Sequence, residues 1–409
     1  MGRDIAIVGA GIGGLAAALL LHRDGHRVTL FERFAAPHPV GSGLMLQPTG
    51  QAVLAKLGLL SRAAVLGRRI DRLDGRGATG LRVLDVSYAP LGPDVHGIGI
   101  HRHALFSTLH DAVARAGIPV ETGWEVAGVR RDGGIALERA DGHRSARFDL
   151  VVCAAGAHCP LLAEVGKGAP RELPFGAVWG TLPWQAGFAQ NALSQRYQGA
   201  RTMVGVLPIG RSHETGAEAA AFFWSLEPAE YDRVRARGIE AWKSDVRRVW
   251  PEAEPHLSNI ASFDDLILAR YGHHTLRTPC ADRLAFIGDA AHSTSPQLGQ
   301  GANMALLDAA ALADALRERE IGEALRRYAA ARRWHVRAFQ LMSRALTPFY
   351  QSDSRVLPWI RDRIMPTLFK VPPAPWLLAH IVSGTLPDPL GRIGLGGAAP
   401  AVAPPEAAR

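Results

Sequence analysis

Length, composition and charge place the chain among globular proteins with a sizeable core. It has 409 residues, of which 47% are hydrophobic and 21% are charged. This composition excludes a disordered chain and a coiled coil, and the length suits two or three domains, or one large α/β unit with an inserted lobe. The formal net charge is +8, but the sequence contains no nucleic-acid-binding motif, and we expect no nucleic-acid partner.

The cysteines and the apolar run near the N-terminus indicate in which cellular compartment the protein is expected. The three cysteines, Cys153, Cys159 and Cys280, form no CxxC pair and are too few for a disulfide framework or a cysteine-built zinc site. Residues 5–21 are uncharged, but four glycines interrupt them and the run is short for a membrane span. We therefore expect a cytoplasmic protein without a transmembrane segment or a bound metal.

Six arginines lie in one segment of helical character, together with aromatic residues such as Trp334. Such a segment can be a patch for nucleic acid or an anionic membrane, or it can be the solvated face of a long helix. We favour the solvated face. The arginines are Arg326, Arg327, Arg332, Arg333, Arg337 and Arg344.

The first 32 residues predict the order strand, glycine turn, helix, strand. Residues 4–8 are apolar and β-rich, and glycines occupy positions 9, 11, 13 and 14. Residues 15–22 have helical periodicity, and the Asp24-Gly25 pair ends that helix. A second strand over 27–31 is followed by an acidic residue, 23 positions after the first glycine.

This order is the one that binds a dinucleotide. Gly9 allows the tight turn, Gly11 lets the backbone approach a pyrophosphate, and Gly14 lets the helix pack closely on the strand. Glu32 can accept hydrogen bonds from ribose hydroxyls. Residues 75–80 also match GxGxxG, but a strand-like stretch follows them, so we predict a turn there.

The middle of the chain has a different composition. Beyond residue 172, the segments 201–210 and 217–226 predict strands, and 229–250 predicts a helix. We assign this region to an inserted substrate lobe.

A second motif begins where an apolar strand over 283–288 leads to Asp289. A carboxylate there can hold a polyol, and the helix that opens at Gly301 can stabilise negative charge at its N-terminus. The two motifs together predict a flavin dinucleotide, with its adenosine end at residues 9–32 and its ribityl and ring end at residues 289–303.

These motifs, in this order, resemble the single-component FAD-dependent aromatic hydroxylases, which include the para-hydroxybenzoate, salicylate and ubiquinone-pathway hydroxylases. The resemblance extends to about Leu390. It rests on GAGIGGLAAALLL with FER, GSGLMLQPTG, IHRHALFSTL, DLVVCAAG and GDAAHSTSPQLGQGANMALLDA.

The resemblance implies an α/β fold. It consists of a Rossmann-like FAD-binding domain of the glutathione-reductase type, an inserted β-sheet substrate lobe and C-terminal helices. The expected divisions are 1–172 (FAD-binding domain, first part, with a substrate-lobe excursion near 70–100), 173–270 (substrate lobe), 271–343 (FAD-binding domain, second part), 344–393 (C-terminal helices) and 394–409 (flexible tail).

The resemblance also implies roles for individual residues. Glu32 would hold the adenosine ribose, with Arg33 near the adenine. Arg102 would reach the phosphates or ribityl chain, Val126 the adenine through its backbone, and Asp289 the ribityl or pyrophosphate region. The remaining cofactor residues, at the ring end, are Gly299, Gln300, Gly301 and Asn303.

The substrate side is less specific, and we assign no catalytic residue. His273 and His274, with His213, can include a general base for a phenol. Six further residues can either face the substrate pocket or belong to the core: Met45, Gln47, Trp179, Met203, Trp224 and Pro296.

Members of this family take hydride from NADH or NADPH, trap O2 as a flavin C4a-hydroperoxide and hydroxylate an aromatic or electron-rich apolar small molecule. The usual Asp-Gly pair is Ala155-Gly156 here. An oxidase or dehydrogenase of the same fold, or a monooxygenase served by a separate flavin reductase, therefore stays open. A flavin-bound or basic interaction protein without turnover is a third alternative. The sequence also leaves open whether the protein forms a homodimer.

Overall fold

The computed structural model describes residues 2–36, 41–212, 215–317 and 319–396. Its strands are β1 (Asp4–Val8), β2 (Arg27–Phe31), β3 (Gly43–Leu46), β4 (Arg68–Ile70), β5 (Arg72–Arg76), β6 (Arg82–Ser87), β7 (Gly97–His101), β8 (Val120–Glu121), β9 (Val126–Arg131), β10 (Ile135–Arg139), β11 (Leu150–Cys153), β12 (Arg171–Glu172), β13 (Gly176–Pro183), β14 (Ala192–Gln198), β15 (Thr202–Arg211), β16 (Glu218–Leu226), β17 (Ile267–Ala269), β18 (Gly272–His273), β19 (Cys280–Ala281) and β20 (Leu284–Phe286).

The α-helices among these residues are α1 (Ile12–Arg23), α2 (Pro48–Lys56), α3 (Leu60–Leu66), α4 (Arg102–Arg115), α5 (Tyr231–Ala236), α6 (Ile239–Val249), α7 (Glu254–Leu257), α8 (Asp289–His292), α9 (Gly301–Leu316), α10 (Ile321–Tyr350), α11 (Val356–Leu368) and α12 (Ala374–Ser383). None of these helices combines the length and the apolar character needed to cross a membrane.

A six-stranded sheet in the order β19-β20-β11-β1-β2-β8 carries both predicted motifs. Strand β1 pairs in parallel with β2 on one side and β11 on the other. The carboxyl ends of these parallel strands therefore meet at one edge, where open α/β sheets bind their ligands. The predicted α/β fold is confirmed, and the first motif has the expected order of strand, turn, helix and strand.

A seven-stranded sheet in the order β17-β13-β16-β15-β14-β5-β6 forms the second large layer. Strands β5 and β6, from residues 72–87, join it through the parallel pairing of β5 with β14. The second GxGxxG match begins in the last two residues of β5, and its other four residues lie in the predicted turn before β6. Helix α6 covers one face of this sheet, and the other face borders the cavity described below.

Several predicted elements differ from the structure. The helix expected over 229–250 is two helices, α5 and α6, because Gly238 between them has a φ of +85°. The domain boundary expected between residues 343 and 344 lies inside α10. This helix continues to Tyr350 and contains Pro348 in its last turn. A single disulfide joins Cys153 to Cys159, a pair that the sequence analysis did not predict. Most of the expected tail, residues 397–409, lies outside the described residues.

A buried ionic cluster joins the second motif to α10. The carboxylate of Asp308 on α9 accepts hydrogen bonds from the Gly288 amide (2.8 Å), His292 Nε2 (2.6 Å) and Arg332 Nε (2.6 Å). Arg332, taken above as part of a solvated face, is buried, whereas the other five arginines of that segment are exposed. Burial alone would raise the pKa of Asp308, but the charges and hydrogen bonds of His292 and Arg332 lower this pKa to about 2.

We predict that Asp308→Asn lowers the free energy of unfolding by about 3 kcal/mol at pH 7, because it leaves the buried Arg332 without a counter-charge. The native pKa lies below the unfolded value near 4, so the Asp308 contribution is complete above about pH 5 and declines as the pH falls towards 2. Urea unfolding measured at pH 7 and at pH 3 should show that the difference in free energy of unfolding between the variant and the unsubstituted protein is about half as large at pH 3. The exposed Asp111→Asn variant is the control, and a difference independent of pH would contradict this account.

Candidate active site

A cavity of about 1090 Å³ lies between the two large sheets. One half, which we call the polar half, is bordered by residues of the first glycine loop (Gly9–Gly14) and of the second loop (Gly288–Gly301). The other half, which we call the apolar half, is bordered by the seven-stranded sheet and by α10, α11 and α12. The polar half is continuous with the apolar half, so a long cofactor in the first can present one end to the second.

The first glycine loop leaves room for a ligand. Gly9 has a φ of +102°, and a Cβ there would lie 2.7 Å from the Ala154 carbonyl oxygen. A Cβ on Gly14 would lie 2.0 Å from the Gly9 carbonyl oxygen, so close packing requires glycine at that position. A Cβ on Gly11 would instead meet no atom within 4 Å. Gly11 borders open space at the N-terminus of α1, which favours a phosphate group.

The end of the cavity at which the sequence predicts the adenosine contains Glu32, directly after β2. Its carboxylate accepts hydrogen bonds from the Ala10 amide (2.8 Å) and the Phe34 amide (3.1 Å), which fixes it beside the first glycine loop. Arg33, Arg102 and Val126 also border this part of the cavity. The structure thus brings together the four residues predicted for the adenosine and phosphate groups.

The second loop places Asp289 near the start of α9. Asp289 borders the cavity, and its Oδ1 lies 3.9 Å from where a Cβ on Gly301 would be. Gly299, Gln300 and Gly301 border the cavity as well. Gln300 Nε2 donates to the Val382 carbonyl (2.6 Å), while its buried Oε1 accepts no hydrogen bond from the described residues. The open glycine edges, the carboxylates and this unpaired oxygen fit the polyol and amide groups of FAD.

Asn303, predicted at the ring end of the cofactor, and Gly14, predicted to let the helix pack closely on the strand, do not border the cavity. The side-chain amide of Asn303 accepts from the Gln47 amide and donates to the Met45 and Gly299 carbonyls, so it positions the second loop from behind. Gly14 packs against the Gly9 carbonyl. The sequence pattern therefore identified two positions that shape the backbone around the cavity and do not themselves border it.

The apolar half is bordered by aromatic and aliphatic side chains. Trp179 on β13 packs against Phe223 on β16, with ring centroids 4.6 Å apart and the ring planes tilted by 34°. Trp179 Nε1 donates to Tyr271 Oη (2.9 Å). Burial raises the pKa of Tyr271 to about 12. Further residues on this wall are Met45, Gln47, Leu73, Leu193, Gln195, Met203, Leu207, Phe349 and Tyr350, and Pro296 borders the cavity from the second loop.

Of the two alternatives left open for Trp224 on β16, the structure shows the core position. Trp224 packs against Trp242 of α6 on the far side of the sheet, and its neighbour Phe223 borders the cavity. Successive side chains of a strand point to opposite faces, so one of the two had to face inward. The sequence showed that side chains alternate along β16 but not which of them face the cavity. No pattern in the sequence pointed to Tyr271 or Gln195.

His273 and His274, two of the three histidines considered as a general base, do not border the cavity. His274 contacts Ser293 Oγ and the Ala290 carbonyl, and His273 Nε2 accepts from Arg344. His213 lies outside the described residues. Within the described ranges, no group of three or more His, Cys, Asp or Glu side chains is arranged to hold a metal ion.

Charge is distributed unevenly along the cavity. Glu32, Arg33, Arg102 and Asp289 border the polar half. Among the described residues of the apolar wall, the one charged side chain is that of Arg270, which is exposed and pairs with Glu172 (3.0 Å). An anionic group on a substrate would therefore find no buried cation there.

The loop after β11 differs from the family pattern at the cavity edge. Ala155, Gly156 and His158 border the cavity, and the Cys153–Cys159 disulfide closes the loop that contains them. Ala155 is exposed, so a carboxylate would fit at this position without displacing core atoms.

Comparison with known proteins decides the family. A family model described as an FAD binding domain matches residues 3–341. The chain belongs to this family. A 3-amino-4-hydroxybenzoate 2-monooxygenase of Streptomyces cremeus is 30% identical over 340 residues, which cover 80% of this chain and 82% of the relative. The predicted resemblance to single-component FAD-dependent aromatic hydroxylases is confirmed, and with it the expectation of an FAD-dependent monooxygenase.

Two solved structures are similar to this chain in fold. PqsL of Pseudomonas aeruginosa, a probable FAD-dependent monooxygenase, is 25% identical with a TM-score of 0.75, over 87% of this chain and 98% of that chain. HpxO of Klebsiella pneumoniae, solved with FAD and uric acid, is 23% identical with a TM-score of 0.79, over 95% and 98% of the two chains. The second match concerns the fold alone.

We predict that Gly11→Asp empties the flavin site of this family member, because its carboxylate would face the pyrophosphate in the open space beside Gly11. Flavin absorbance per polypeptide should fall to near zero, while circular dichroism shows a folded chain. Gly168→Asp is the matched control, since an added Cβ there also meets no atom within 4 Å. A folded Gly11→Asp protein that retains full FAD would contradict this site.

Proposed function

We propose that the protein hydroxylates a neutral, apolar aromatic small molecule, with NADH or NADPH as the reductant. The observation that carries the proposal is the cavity itself. Its polar half fits FAD, and its apolar half contains no unpaired buried cation among the residues that the structure describes. We further propose a cytoplasmic location, where both nicotinamide cofactors are available.

Residues of both loops would hold the cofactor. The first glycine loop and Glu32 would bind the adenosine diphosphate end, and Asp289 with the amides of 299–301 would bind the ribityl and ring end. When bound, FAD supplies the redox chemistry by which one atom of O2 enters an aromatic ring. The N-terminus of α9 would stabilise negative charge at the ring end.

The chain itself orients the substrate and excludes water. Trp179 and Phe223 offer aromatic surfaces against which a flat ring can pack. Tyr271 accepts from Trp179, and its own hydroxyl has no acceptor among the described residues. Because its pKa is about 12, Tyr271 stays protonated at neutral pH and can donate to an oxygen of the substrate.

We expect substrate charge to decide selectivity. 1-Naphthol should give a kcat/KM at least about tenfold higher than 1-hydroxy-2-naphthoate, because burying an unpaired carboxylate is costly. Product formed under 18O2 should contain one labelled oxygen. Gln195→Arg places a cation on the apolar wall and should reduce the difference in kcat/KM between the two naphthols. An unsubstituted protein with the higher kcat/KM for 1-hydroxy-2-naphthoate would contradict the proposal.

A second candidate uses flavin that is reduced elsewhere, because no carboxylate occupies position 155. Hydride transfer needs close, aligned approach, so this second candidate, unlike the first, predicts slow direct reduction by NADH or NADPH even with substrate present. Ala155→Asp should raise the stopped-flow reduction rate at least about tenfold, and the isosteric, uncharged Ala155→Asn should not. Fast reduction of the unsubstituted protein would contradict this candidate and favour the ordinary nicotinamide-dependent reaction.

A further inference from the structure

The C-terminal helices have an exposed apolar surface, which we call the C-terminal apolar face. Thirteen large hydrophobic side chains are exposed among the described residues, and seven of them lie within Val356–Leu377. This concentration is unusual for a surface in contact with water alone. The seven residues, 39 to 63% exposed, are Val356, Trp359, Ile364, Leu368, Val371, Trp376 and Leu377.

Both sides of these helices are apolar. Met365 and Phe369, from α11 and its C-terminal end, border the cavity, as does Leu378 of α12. A helix that separates a core from water has a polar outer side, whereas the outer side of α11 contains Trp359, Ile364 and Leu368. The helices are therefore a single apolar layer between the cavity and the exterior.

Cations lie within the same face. Arg355, Arg363 and Lys370 are exposed, and none of them pairs with a carboxylate among the described residues. The two acids of the segment, Asp353 and Asp362, each pair with an arginine. The face therefore combines apolar side chains with uncompensated positive charge.

We propose that the C-terminal apolar face binds the surface of an anionic lipid bilayer. Tryptophan and aliphatic side chains enter the boundary between head groups and acyl chains, while arginine and lysine contact anionic head groups. A second copy of the chain fits less well, because it would bring a face of the same net positive charge against this one, whereas an anionic bilayer supplies the opposite charge. A nucleic acid would leave the aliphatic side chains without apolar contacts.

The rest of the fold holds this face in place. At the end of α12, Gln300 Nε2 donates to the Val382 carbonyl, and His335 Nε2 contacts the Gly384 carbonyl (2.8 Å). Binding at the face would thus place the apolar half of the cavity next to the bilayer. If the proposed function holds, a lipid-soluble aromatic substrate would enter from that side, but membrane binding itself does not depend on the proposed function.

Vesicle flotation of the full-length, FAD-loaded protein tests the proposal. We expect binding to vesicles of phosphatidylcholine with 30% phosphatidylglycerol, and much weaker binding to phosphatidylcholine alone. Arg363→Glu with Lys370→Glu should weaken binding at least about 25-fold, since each cation near an anionic surface contributes about fivefold. Trp359→Ser with Leu368→Ser should weaken it about tenfold or more.

Matched controls change exposed residues elsewhere. Arg62→Glu with Arg115→Glu, and Val65→Ser with Leu81→Ser, should bind as the unsubstituted protein does. Turnover of a water-soluble substrate should stay unchanged in every variant, which separates this proposal from the proposed function. Absence of binding to both vesicle types, or equal binding by the face variants, would overturn the proposal. A dimer in sedimentation velocity that Trp359→Ser with Leu368→Ser dissociates would also overturn it, by making a second copy the occupant.

Discussion

The buried carboxylate of Asp308 is the interaction on which the geometry of the site depends. It fixes the Gly288 amide, His292 and Arg332 at once, and these groups belong to the second loop, α8 and α10. A buried charge is tolerated only when it is fully paired. The relative positions of the strand end before Asp289, of α9 and of α10 are therefore constrained together.

Asn303 extends this constraint to the substrate side. It lies five residues before Asp308 on α9, and its amide bonds the backbone at residues 45, 47 and 299. Strand β3, which borders the apolar half, is thereby tied to the helix whose N-terminus would meet the flavin ring. The distance between cofactor and substrate thus depends on hydrogen bonds made by two buried polar side chains that do not border the cavity.

The sequence predicted features that depend on neighbouring residues and missed those that depend on distant ones. The turn at Gly9 and the dinucleotide-binding order follow from local spacing, because the required backbone conformation and helix start lie within 32 residues. The choice between Phe223 and Trp224 depends on which face of β16 α6 covers. Tyr271 reaches Trp179 across 92 positions, a contact that no local pattern encodes.

The central claim is that one dinucleotide extends from the first glycine loop to the second. The most direct measurement is titration of the apoprotein with FAD and with FMN, followed by quenching of flavin fluorescence. The account predicts stoichiometric binding of FAD and at least about 100-fold weaker binding of FMN, which lacks the adenosine end that the loop and Glu32 would bind. Equal affinity for FAD and FMN would contradict it.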